Sequence, residues 1–381
     1  MEEWKEYKIG DVCNTISDTY KDNAENVVLI NTSDVLEGKC LNHIKTPNKD
    51  LKGQFKKTFR KDDILYSEIR PANRRYAYID FDATDYIAST KLMVIRHNER
   101  ILPQYLFYIL KSKAVLDELQ MLAESRSGTF PQITFNEVAN MEIKLPPIEQ
   151  QRRILAVLKS LDDKIEVNRR INKNLEQQAQ ALFKSWFVDF DPFKDQPFVE
   201  SELGMIPKGW KVVSLGDLIE IRYGKDHKKL LDGEIPVYGS GGLMRKVDKA
   251  LYTGESVLIP RKGTLNNVMY VNEAFWTVDT MFYSIPKVEN IMLFTFIYLS
   301  NRDLASLNAG SAVPSMTTEI LNNMKVVLPN LAILEDFNNR AEALYNLIKH
   351  NEDESRRLAE LRDTLLPRLM SGVLKVNDVD A

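Results

Sequence analysis

Two groups of cations stand where phosphate and base chemistry is possible. The segment KGQFKKTFRK (52–61) holds five cations and two aromatic residues with no acid, and Arg70, Arg74 and Arg75 follow it. A second series comprises Arg222, Lys225, Lys228 and Lys229, then Arg245, Lys246 and Lys249, then Arg261 and Lys262. Lys and Arg neutralise phosphates, while Arg and Asn side chains match the edges of guanine and adenine. One such cluster, taken singly, reads equally well as solvated surface. Two clusters beside the same landmark weigh towards DNA: Arg74 and Arg75 adjoin Asn73, and Arg261 and Lys262 precede Asn266 and Asn267. Chosen on chemistry, the candidate DNA-binding residues are Lys56, Lys57, Arg60, Arg70, Arg74 and Arg75, then Lys228, Lys229, Arg245, Arg261, Lys262 and Asn266. Most of them are expected to touch phosphate.

Other chemistry is weaker. Gly239-Ser240-Gly241-Gly242 lacks the Gly-Lys-Ser/Thr that completes a phosphate-binding loop, so a turn is the better reading. Asp189-Phe190-Asp191-Pro192-Phe193 faintly resembles the Asp/Asn-Pro-Pro-aromatic motif of amino-methyltransferases. It lacks the second proline, follows a helix, and has no glycine-rich cofactor loop upstream. His43, His97, His227 and His350 lack metal-site spacing. The paired carboxylates Asp62-Asp63 and Asp162-Asp163 read as charged surface. Neither catalysis nor a metal is expected of this chain.

The elements that must position the cations are written twice. Trp4-x-x-Tyr7-x-Ile9-Gly10-Asp11-Val12 recurs 206 positions later as Trp210-x-x-Val213-x-Leu215-Gly216-Asp217-Leu218. Ile64-Leu65-Tyr66 corresponds to Val257-Leu258-Ile259, Thr90 to Thr280, and Tyr105–Leu110 to Phe294–Leu299. Gly128-Thr129-x-Pro131-x-x-Thr134 corresponds to Gly310-Ser311-x-x-Pro314-x-x-Thr317. Between these landmarks the halves differ freely. Each copy meets a Leu-Pro step (Leu145-Pro146, Leu328-Pro329) and then a long polar helix.

The helices repeat more strictly. In the first, a heptad seam runs through Ile154, Leu158, Leu161, Ile165, Leu175, Ala179, Leu182 and Trp186, interrupted by Asn168 and Asn172. Shifted by 183 it becomes Phe337, Ala341, Leu344, Ile348, Leu358, Arg362, Leu365 and Leu369, interrupted by Asn351 and Ser355. Polar residues at seam positions set register at a cost in stability. The matched spacing predicts an intramolecular antiparallel coiled coil. Pro146-Pro147 and Pro329-Asn330 are expected to start the helices, Asp191-Pro192 to close the first, and Pro367 and Gly372 to end the second. Each helix reads as roughly 35 to 40 residues, so about 50–60 Å long, on the order of 15 base pairs of duplex. The expected fold is α+β: two mixed α/β domains (1–146 and 194–329), each followed by a helical region (147–193 and 330–381), with pseudo-two-fold repetition.

A length of 381 residues allows two to three domains. Residues 1–10 carry no signal-peptide pattern, and the most apolar run, Ile291–Leu299, is too short to span a membrane. Two cysteines, Cys13 and Cys40, suit a reducing cytoplasm. A net charge of −3 excludes a generic polyanion binder but leaves room for local basic patches.

LPPIEQQRRILAVLKSLDDKIEVNRRINKNLEQQAQALFKSWFVDFDPF (145–193) resembles the central conserved region of specificity (S) subunits of Type I restriction–modification systems, and LRDTLLPRLMSGVLKV (361–376) their distal conserved region. IRPANRRYAYI (69–79), RKGTLNNVMYV (261–271) and IPVYGSGG (235–242) are similar to segments of their target recognition domains. The resemblance covers nearly the whole chain. It implies a non-catalytic subunit whose two recognition domains each read half of a bipartite, asymmetric site in double-stranded DNA. The coiled coil then fixes the unread spacer and docks two methyltransferase (M) subunits, and two restriction (R) subunits join the complex. It further implies no cofactor on this chain, with S-adenosylmethionine, ATP and Mg2+ on the partners. Alternatives are the specificity subunit of a system with a fused methyltransferase–nuclease and, from another class, a coiled-coil scaffold that binds protein.

Overall fold

The computed structural model describes residues 4–21, 24–49, 51, 53–126, 131–307 and 315–375. Lys52, Gly128, Thr129, Gly310, Ser311, Pro314 and Val376, used above, lie outside them. The chain forms two compact units, one of residues 1–167 with 354–381 and the other of 168–353.

In the first unit two four-stranded sheets share a core. One orders Lys45–Pro47, Asn26–Ile30, Tyr86–Ser89 and Phe55–Lys57; the other orders Cys13–Ile16, Leu92–His97, Ile64–Ser67 and Tyr76–Tyr78. Side chains alternate across a strand, and the sequence exploits this. Leu65, Leu92 and Val94 join Val28, Ile30 and Ala88 between the sheets. Their neighbours Ile64, Tyr66, Met93 and Ile95 turn the other way, towards helices Pro103–Leu110 and Lys113–Arg126 and to Ile154, Leu158, Leu366 and Leu369. Both faces being covered explains why successive residues are apolar along Ile64–Tyr66 and Leu92–Ile95.

The second unit replaces the two sheets by one of six strands, ordered Ile219–Tyr223, Met281–Pro286, Tyr252–Pro260, Met269–Thr277, Ile235–Gly239 and Gly242–Val247. The same alternation holds. Val257, Ile259 and Phe282 pack on Ala179, Phe183, Phe187, Phe337 and helix Met292–Ser300, whereas Leu258, Met281 and Tyr283 face the opposite core.

The repeated Trp-led motif has the same structure in both copies. Lys5–Lys8 pairs antiparallel with Glu142–Leu145, and Lys211–Ser214 with Lys325–Leu328, so the first and last strands of each copy close the domain just before the helix. The motif's Asp accepts from a backbone N–H three residues earlier, Lys8 N to Asp11 at 2.8 Å and Ser214 N to Asp217 at 3.0 Å. Its Gly is dictated by close approach. A Cβ on Gly10 would lie 3.0 Å from the Ala139 Cβ, and one on Gly216 would lie 3.0 Å from the Asn322 side chain.

The long helices span Ile148–Phe187 and Leu331–Met370. Every seam position named from the sequence is buried or half-buried, including Leu161, Ile165, Leu175, Leu182, Leu344, Ile348, Leu358 and Leu365. The pairing is antiparallel within each unit. In the first, Lys164 meets Glu354 at 3.2 Å and Asp162 meets Arg362 at 2.6 Å. In the second, the Asn168 amide reaches the Asn351 carbonyl at 3.4 Å and the Asn172 amide the Ile348 carbonyl at 3.1 Å. Two expected stops differ. The first helix ends at Phe187, ahead of Asp191-Pro192, where Phe190 adopts positive φ (55°). Pro367 does not end the second helix, which continues to Met370; Gly372, at φ 74°, turns the chain instead. The Pro367 ring is exposed, so its missing N–H is lost at the helix surface rather than in a packed core.

Candidate nucleic-acid interface

The cations chosen on chemistry separate into two kinds. Lys56, Arg60, Lys228, Lys229 and Lys262 are exposed, and among the described residues their side chains enter no hydrogen bond or ion pair. These are free to meet phosphate. Others are engaged within the fold. Lys57 Nζ donates to the Leu92 carbonyl at 2.8 Å with Glu68 at 3.9 Å, and burial holds its ammonium below the usual lysine value against the pull of Glu68. Arg75 donates to the carbonyls of Ser33 and Val35 at 3.1 and 3.4 Å. Arg74 pairs with Glu37 at 3.2 Å. Arg245 donates to the Leu230 carbonyl at 2.8 Å and meets Asp232 at 3.3 Å. Asn266 bonds Asp303 at 3.1 Å and accepts from the Ala305 N–H at 2.9 Å.

Arg70 and Arg74 flank the tight turn Pro71–Asn73 with φ of 45° and 52°, conformations that cost a non-glycine residue free energy. The turn is held from outside, since Ala72 N donates to Gln120 at 3.0 Å and Arg70 N to the Pro131 carbonyl at 3.1 Å.

The Thr90 and Thr280 landmarks mark where loops converge. In the first unit Thr90 N bonds the Gln54 carbonyl at 2.7 Å and Glu68 N the Lys91 carbonyl at 3.0 Å, joining the turn before Lys56 to the strand leading into Arg70. In the second, Arg261 N and Lys262 N both donate to the Thr280 carbonyl, at 2.9 and 3.2 Å. Asn267 reaches the Ser240 carbonyl at 2.8 Å, and Trp276 Nε1 the Lys225 carbonyl at 2.8 Å. The second unit thus gathers Lys228, Arg261 and Lys262 at one end of its sheet. Arg261 itself is oriented by the Asp279 carbonyl (2.9 Å) and lies over the Tyr223 ring at 5.5 Å.

Gln151 and Tyr345 tie domain to helix without any signal read from the sequence, and Asp162, expected to be charged surface, does so as well. Gln151 is buried; its carbonyl accepts from Leu102 N at 2.9 Å, and its amide donates to the Arg100 and Pro146 carbonyls at 3.2 and 3.0 Å. Asp162 is no ordinary surface acid. It accepts from Tyr108 Oη, from Lys111 at 3.2 Å and from Arg362 at 2.6 Å. Burial raises its carboxyl, but Lys111, Tyr108 and Arg362 together outweigh that and hold it below the usual carboxylate value. The available signal was Arg362 itself, a charge at a seam position whose repeat counterpart is Ala179. In the second unit Tyr345, counterpart of Asp162, packs instead on Tyr270 and Phe296, with ring centroids 6.1 and 5.5 Å away.

Burial pushes the Cys13 thiol up to about 12 and Cys40 to about 11, so both are protonated at neutral pH. Among the described residues no His, Cys, Asp and Glu group has the geometry to hold a metal ion, and no helix is long and apolar enough to cross a membrane.

The sequence profile of the Type I restriction modification DNA specificity domain matches residues 1–177 and 207–362. The chain is 34% identical to the Type I restriction enzyme HindI specificity subunit of Haemophilus influenzae, over 98% of this chain and 100% of that one. It is 27% identical to the MjaIX specificity subunit of Methanocaldococcus jannaschii, over 73% of this chain and 71% of that one. The crystal structure of a Type I restriction–modification S subunit from M. genitalium has the same fold, with a TM-score of 0.53 at 16% identity, covering 97% of this chain and 96% of that one.

Proposed function

Because this chain belongs to the Type I restriction–modification DNA specificity family, we propose that each of its domains reads one half of a bipartite, asymmetric site in double-stranded DNA. The paired helices set the unread spacer and dock two methyltransferase subunits, through which two restriction subunits join. S-adenosylmethionine, ATP and Mg2+ act on those partners, and the assembly works in the cytoplasm. The domain limits follow the repeat: recognition domains at 1–146 and 194–329, helical regions at 147–193 and 330–381. The specificity subunit itself supplies recognition and no catalysis.

The observation that carries this reading is the contact between Asn168 and Asn351, one repeat position in two copies, 183 residues apart. An antiparallel pair in which equivalent residues meet has local pseudo-two-fold symmetry, so one chain offers a repeated surface to two identical partners. The loops around that scaffold differ, as two different half-sites require. Lys56 and Arg60 in one domain and Lys228, Lys229 and Lys262 in the other supply phosphate contacts.

The test is binding of the chain, purified with its methyltransferase partner, to a library of duplexes, together with sequencing of methylated adenines in the host. A gapped two-part motif is expected. Sequence-independent binding, or a continuous motif, would sink the proposal.

A further inference from the structure

Segments 226–228, 239–244 and 278–280 of the second unit line a cleft of about 530 Å³, and segment 261–267 is bonded to its wall through the carbonyls of Thr280 and Ser240. Gly263 is obligatory there: its φ is 84°, and a Cβ would lie 2.9 Å from Ser240 Oγ. The cleft is not uniformly basic. Lys228 stands at it, but so do Asp226, Asp279 and the hydroxyls of Ser240 and Thr280. The Asp226 carboxylate is engaged by the Lys228 N–H at 3.0 Å. The Asp279 side chain is exposed and, among the described residues, has no partner, although its backbone carbonyl holds Arg261. Leu243 and Met244, at the end of the Gly-Ser-Gly-Gly turn, are 60% and 56% exposed. His227, also at the cleft, has a buried Nδ1 without a partner.

A surface that only held phosphate would gain nothing from a free carboxylate, because phosphate and carboxylate repel. Base edges differ in this respect. Cytosine N4 and adenine N6 present donors in the major groove, for which a carboxylate is the matching acceptor, and the thymine methyl takes apolar contact. Hydrogen bonds from Arg261 and Lys262 fix the turn bearing Asp279, as a reading group requires, and Asn267 ties down the neighbouring Ser240 turn.

We propose that this cleft is the base-reading site of the second domain and that Asp279 determines specificity, accepting a hydrogen bond from the amino group of a cytosine or adenine. The inference rests on the bipartite-site reading above and narrows it to one residue and one class of base edge. Lys228 and Lys262 flank Asp279 as phosphate contacts, and Met244 supplies an apolar contact beside it.

The experiment selects duplexes from a library randomised over both half-sites, using the wild-type chain and Asp279→Ala, which removes the acceptor, each in complex with the methyltransferase partner. If wild type selects no two-part motif, the bipartite reading fails and takes this inference with it. If wild type selects one, D279A is expected to lose about 5- to 150-fold of discrimination at a base pair of one half-site, the range of a good base contact. The other half-site and the salt dependence stay unchanged. An unaltered motif overturns the assignment of Asp279. A uniform gain in affinity for all sequences does so too, since it would mark Asp279 as a surface charge that merely repels the backbone.

Discussion

Asn351 donates its side-chain amide to Asn172 Oδ1 at 2.8 Å, while its own backbone carbonyl accepts from the Asn168 amide at 3.4 Å. Three asparagines thus form one polar layer across the paired helices, where heptad spacing alone would place apolar side chains. Replacing Asn351 by Ala leaves Asn172 without this donor and should cost about 1 kcal/mol, read as a lower denaturation midpoint. Replacing both Asn168 and Asn351 by Leu should raise the midpoint while weakening control of register. A double-Leu variant less stable than wild type would contradict the assignment of this layer to register.

Asp162 predicts a specific acid sensitivity. Its native carboxyl is held below the ordinary value, so the unfolded chain takes up that proton first as pH falls. The stabilisation is therefore complete above about pH 4, the unfolded carboxylate's range, and fades as pH drops through the depressed native value. Asp162→Asn should be less stable than wild type at pH 7, by about 1.5–3 kcal/mol for its charged hydrogen bonds, and the gap should narrow in acid. Urea midpoints for both proteins across that range decide it; a pH-independent gap would exclude the hub.

Gly10→Ala and Gly216→Ala should each destabilise by about 1–3 kcal/mol through overpacking against the short helix behind the motif. Gly53, whose added Cβ would meet nothing within 4 Å, serves as the control. Thermal unfolding of the three variants tests the ordering.

Lys56 and Arg60 are expected to touch phosphate, and Arg75 to hold its own loop. The double change Lys56→Ala with Arg60→Ala should lower the slope of log affinity against log salt by about 0.9 per lost contact. Arg75→Ala should instead lower Tm, because two carbonyls lose their donor. Binding measured between 50 and 200 mM salt, about the range over which such contacts tell, separates the roles; an equal slope change in both variants would refute the division.

Inserting one heptad into both helices beside the asparagine layer adds about 10 Å, or about three base pairs. The methylated motif should keep both halves and lengthen its gap by about that amount. A change in either half-site would count against the helices as spacer.

The sequence alone determined the repeat, the helices and their seam, because heptad periodicity and a duplicated Trp-led motif are local patterns that no distant contact needs to complete. Tertiary structure decided which charges are free. Lys56 and Lys57 are neighbours of the same kind in the sequence, yet one faces solvent and the other is drawn to the Leu92 carbonyl. It also decided that Asp162 is a hub and that Asp279 stands without a partner among the described residues. The availability of a charged side chain depends on carbonyls and counterions brought in from 35, 51 or 200 residues away. No periodicity in the chain encodes those meetings.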